Sequence, residues 1–133
     1  MSAPHRRADA TVLERLRLPP DPSSARAARL FVSSVLSADD EVTDLAVLLV
    51  SELASNVVQH AGTDFEIGVS ADAARIRIDV ADKDARLPTL RDYVAKSVSG
   101  RGLHMIAASA ARWGFESTTT GKDVWFELER KPA

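Results

Sequence analysis

Apolar positions recur along this chain in two rhythms, and the rhythm changes at punctuation residues. Val12, Leu16 and Leu18 alternate in part, which predicts a short edge strand over residues 11–18. Pro19-Pro20-Asp21-Pro22 ends it. Ser23 or Ser24 then offers an N-cap, and Ala28, Phe31, Val32 and Val35 share one face at three- and four-residue spacing, so 25–36 reads as a helix. Asp39 or Asp40 caps a second helix that carries Leu45, Leu48, Leu49, Leu53 and Val57 and runs to about His60, where Ala61-Gly62 stops it. The period then drops to two. Phe65, Ile67 and Val69 alternate with polar or small residues, and Ile76, Ile78 and Val80 alternate with Arg75, Arg77 and Asp79. The short link at 71–74 makes these strands a hairpin.

Residues 83–100 keep no strong period, contain Pro88 and read as a loop with room for one helical turn. A helix over 101–111 follows. Strands at 112–117 and 123–129 close the chain as a second hairpin around 118–122. In the last strand Val124, Phe126 and Leu128 face one way, and Asp123, Trp125, Glu127 and Glu129 the other. The order strand, helix, helix, hairpin, loop, helix, hairpin predicts an α+β two-layer sandwich: one mostly antiparallel sheet with helices on a single face.

Composition narrows the function classes. The 133 residues fit one domain, with 1–10 as a loose tail and 11–133 as the folded unit. An apolar share of 45% and a charged share of 27% are those of a soluble globular chain. The net charge of −2 and the lack of a basic stripe argue against direct nucleic-acid binding. With no cysteine, disulfides and thiolate zinc sites are excluded, and His5, His60 and His104 are too scattered for a metal site. No apolar run reaches the ~18 residues of a membrane span. Arg6 and Arg7 have no apolar stretch behind them, so no secretory leader is expected and the default location is the cytoplasm.

Three groups of residues could carry chemistry. Glu52, Asn56 and His60 are four apart and stack on one side of the second helix, beside Leu45, Leu49 and Leu53. They are either wet and idle at the edge of the apolar face or the lining of a pocket, in which a carboxylate can act as general base and an amide oxygen can bind Mg²⁺. His60 reads as structural, packing the helix end near the sheet. Asp82 continues the alternation of Ile76, Ile78 and Val80 onto the core face, where a carboxylate needs a donor. The exocyclic amine of a bound base would serve, and so would a backbone N–H or a serine hydroxyl. Gly100-Arg101-Gly102-Leu103 opens a helix, where glycines allow close approach and the helix N-terminus favours anions; a plain turn is the simpler reading. Trp113, Trp125 and Phe126 read as packing, with Trp125 turned outward toward a partner; Arg26 and Arg29 read as a solvated helix face.

The order of these groups resembles the GHKL (Bergerat-fold) ATPases, and in particular their short anti-sigma-factor serine-kinase branch. The likeness runs from Leu18-Pro19-Pro20 to Leu128. Its most specific part is Ser51-Glu52-Leu53-Ala54-Ser55-Asn56-Val57-Val58-Gln59-His60-Ala61. By that resemblance, Glu52 is the general base, Asn56 the Mg²⁺ ligand, Asp82 the adenine-reading carboxylate, and Gly100, Arg101, Gly102 and Leu103 the phosphate-bearing segment. The resemblance implies ATP and Mg²⁺ as cofactors and a small anti-sigma-factor antagonist or a sigma factor as partner, and it leaves a homodimer open. The same fold without turnover, as a nucleotide-independent binding regulator, is the alternative. Two departures bear on it. Asp84 stands where the family has a glycine, and Asp123 follows Gly121-Lys122 where the family has a small hydroxyl residue.

Overall fold

The computed structural model describes residues 12–84, 106 and 108–130. The first strand, β1 (Val12–Leu18), leads through the proline segment into helix α1 (Ser24–Leu36). Helix α2 (Glu41–Asn56) follows and continues into a single π turn (Val57–Ala61). Strands β2 (Phe65–Ala71) and β3 (Arg75–Asp82) form the first hairpin, and β4 (Arg112–Ser117) and β5 (Lys122–Glu129) the second. They make one sheet in the order β1-β2-β3-β5-β4, with every pairing antiparallel. The expected α+β sandwich is therefore present. Ile106, Ala108 and Ser109 are helical, within the helix expected over 101–111.

The core forms where the two rhythms meet. Ala28, Val32 and Leu36 of α1 and Ala46, Leu49, Val50 and Leu53 of α2 pack on Phe65, Ile67, Val69, Ile76, Ile78, Val80, Val124, Phe126 and Leu128. Leu49, Leu53, Ile67, Ile78 and Phe126 are wholly buried. Burying a side chain of this size stabilises by about 1.5–3 kcal/mol, so this face orients the helices on the sheet. Asp40 caps α2 by accepting from the Thr43 N–H at 2.8 Å, as expected. Ser23 sits at the N-cap of α1 without bonding through its side chain into the helix; Asp21 accepts from its N–H and hydroxyl instead. Arg29 is not simply solvated: it donates to Ser51 Oγ at 3.0 Å and ties α1 to α2.

The opposite face of the sheet is a lattice of charge. Arg15 bridges Glu66 at 2.8 Å and Asp79 at 3.3 Å. Gly68 between them leaves room for that reach, since a Cβ there would fall 2.4 Å from Asp79 Oδ1 and 2.5 Å from Arg15 Nη1. Arg75, Arg77 and Arg112 surround Glu127 at 3.7, 3.1 and 3.3 Å. Trp125 does turn outward, but the Arg77 guanidinium covers it, 4.3 Å from the ring centroid.

Candidate functional site

The C-terminal end of α2 and the end of β3 lie at one end of the sheet. The connection fixes this: the π turn ends at Ala61, Gly62 closes it in the left-handed conformation at φ +66°, and the chain enters β2 at Phe65. Phe65 pairs with Asp82, and Asp82 with Lys122. The few residues between Ala61 and Phe65 can span at most roughly 13 Å, so the end of α2 stays near that rim.

On α2, Glu52 is half-buried, and Asn56 one turn on is 5% exposed. Among the described residues, neither the Oδ1 nor the Nδ2 of Asn56 has a hydrogen-bond partner. Leaving buried polar atoms unmatched costs about 1–3 kcal/mol each, which a fold tolerates where a ligand completes them. The π turn begins at the next residue, and such turns concentrate at functional sites. It also sets the position of His60. A continuous α-helix would stack His60 above Asn56 and pack it near the sheet. The wider turn rotates His60 off that line, and its side chain is exposed.

Asp82 ends β3 on the core face, as the alternation requires, with its side chain 2% exposed. Its donors are Lys122 Nζ, 3.0 Å from each carboxylate oxygen, and the Asp84 N–H at 2.8 Å. Lys122 Nζ also donates to the Asp84 carbonyl at 3.3 Å. The two strands are very close here: a Cβ on Gly121 would lie 2.0 Å from the Asp82 carbonyl oxygen. The backbone donor fits one of the partners anticipated for Asp82, but the lysine was missed. Counting back by two from Leu128, Phe126 and Val124 places Lys122 on the core face, and the same count would have found it.

Gly100, Arg101, Gly102 and Leu103 lie outside the described residues, as does most of the 83–100 segment expected to be a loop. Among the described residues, a cavity of about 480 Å³ opens at the other end of the sheet, lined by Asp40, Glu41, Leu45, Ala73 and Leu128. Neither Asn56 nor Asp82 lines it. No group of three or more Asp, Glu or His side chains is placed to hold a metal among the described residues.

Asp123 does not enter this rim. It faces the charged lattice, where burial first, and then the negative charge and hydrogen bond of Asp79, push its carboxyl up to about 7, against the pull of Arg77 and Arg15. The folded protein thus holds a proton on Asp123 that the unfolded chain releases near the ordinary 3.8. The stability this proton contributes is full below the unfolded value and is lost as pH rises to about 7. Asp123→Asn removes the dependence. We expect the variant to gain on the wild type by about 2 °C in melting temperature between about pH 5.5 and about pH 8, a modest figure because the group is partly solvated. Parallel melting curves across that range would show no divergence if the shared proton were absent.

A model of the histidine kinase-like ATPase domain family matches residues 18–128. Among solved structures, that of the RsbU and RsbW domains of Rv1364c from Mycobacterium tuberculosis has a TM-score of 0.69 over 92% of this chain, at 17% identity. The chain spans 34% of the length of that protein's chain, so the likeness is one of fold. No curated protein matches.

Proposed function

Since the chain belongs to the histidine kinase-like ATPase domain family, we propose that it is an ATP-binding regulator that phosphorylates a serine on a small partner protein. The partner class is an anti-sigma-factor antagonist, with a sigma factor as the second binding partner. The observation that carries this reading is Asn56: a buried amide with both polar atoms unmatched among the described residues, one turn beyond Glu52 and at the same rim as Asp82. A nucleotide site completes such an amide, whereas a purely structural helix end gains nothing from it.

Each residue has a task in this reading. Asn56 Oδ1 would hold Mg²⁺, which when bound neutralises charge on the phosphates. Glu52 accepts the proton of the attacking serine hydroxyl. As the new bond from serine oxygen to γ-phosphorus forms, the bond to the bridging oxygen of ADP breaks. Backbone N–H groups at Gly100 and Gly102 stabilise the charge on the transferring group, with Arg101 and Leu103 flanking them. Glu52 is half-buried on α2, one turn before Asn56.

A second reading has its own observation. Asp82 is already satisfied by Lys122 and the Asp84 N–H, so the fold needs no base to complete it. A binding regulator without turnover fits that fact. The two readings separate by experiment. Partners captured with the chain from its own cells are identified by mass spectrometry and incubated with γ-labelled ATP and Mg²⁺. Label on a partner serine supports the kinase; stable capture with no label supports the binder.

A further inference from the structure

A carboxylate has about four lone-pair positions, and an ammonium has three donors. In Asp82, Lys122 Nζ covers both oxygens at 3.0 Å and the Asp84 N–H takes a third position at 2.8 Å. The ammonium, in turn, is spent on those two oxygens and on the Asp84 carbonyl. The lysine side chain is 8% exposed and the aspartate 2%, so this is a buried pair and not a surface contact. Removing one partner of such a pair is strongly unfavourable, because it strands the other charge.

We propose that Lys122 sets the base specificity of the nucleotide site by occupying the carboxylate that would otherwise read a 6-amino purine. This rests on the nucleotide-binding reading above. An exocyclic amine gains little at Asp82, because the one lone-pair position left open, on Oδ2, belongs to a carboxylate whose charge the ammonium already offsets. A 6-oxo purine is not repelled either, because the lysine offsets the negative charge that a carbonyl oxygen would otherwise meet. The site therefore tolerates both classes of purine base in a nucleoside di- or triphosphate.

The test is calorimetric titration of the full chain with ADP, GDP and purine riboside 5′-diphosphate, which lacks the 6-amino group. The wild type is expected to bind all three within about threefold. Lys122→Met keeps the stem and removes the donors; in it, ADP is expected to exceed the other two by about tenfold or more, the worth of a hydrogen bond to a charged group. A wild-type preference for ADP of tenfold or more overturns the proposal, and so does a Lys122→Met protein with unchanged discrimination. If Lys122→Met fails to fold, the wild-type comparison alone decides. Failure of all three nucleotides to bind the wild type removes the nucleotide reading itself, and this inference with it; binding without the expected selectivity pattern removes only the inference.

Discussion

If the chain is the proposed kinase, Glu52→Ala is expected to lower phosphoryl transfer by about two to four orders of magnitude and to leave ATP affinity within about twofold. The size follows from the role. A positioned base acts on the proton only as the hydroxyl attacks, so its loss appears in the transition state and not in the ground-state complex. Glu52 is half-buried near the end of α2, upstream of the π turn, so truncation should leave the core unchanged. Quench-flow of labelled ATP with the captured partner, beside equilibrium ATP binding, checks both halves. A parallel loss of affinity and rate would mean that Glu52 holds the nucleotide and does not act as the base.

Asn56→Ala abolishes the Mg²⁺-dependent part of ATP binding while leaving the free protein as stable as before, or more so. The two halves of this prediction come from one fact. Asn56 is buried with both amide atoms unmatched, so in the free protein it carries a desolvation cost of about 1–3 kcal/mol per unmatched group that alanine does not. The small cavity left by truncation offsets part of that gain. With nucleotide present the balance reverses on the proposed reading, in which the amide oxygen is the protein's ligand for the cation. Melting curves of wild type and variant, with and without ATP and Mg²⁺, separate the effects. A variant that melts several degrees lower and still responds to ATP and Mg²⁺ would make Asn56 a structural residue.

Much of the fold could be read from the sequence because each element advertises its buried side. Ile76, Ile78 and Val80 alternate with charges, and β3 buries those three residues. The same alternation carried Asp82 inward and Trp125 outward, and both are so placed. What stayed hidden depends on contacts between distant segments. The Arg29–Ser51 bond joins two helices, and the cover of Arg77 over Trp125 joins two strands. Neither appears in the period of any single element. The π turn after Asn56 is invisible to a 3.6-residue count, which is why His60 was expected against the sheet. Lys122 is a different case. Its position was readable, but a lysine on a core-facing strand position looks like a strand end until its register with Asp82 is known. The departure at Asp123 proved remote from the rim, because alternation places it on the charged face.

We propose one nucleotide site where the end of α2 meets the ends of β3 and β5. A thermal-shift titration of the wild type with ATP, with Mg²⁺ present or removed by a chelator, is the decisive experiment. At about a hundredfold excess over the dissociation constant, a ligand of the native state adds about 2.7 kcal/mol, on the order of 10 °C for a chain of this size. A rise of that order is expected with Mg²⁺, and a clearly smaller one without it. An unchanged melting temperature at millimolar ATP and Mg²⁺ would contradict it.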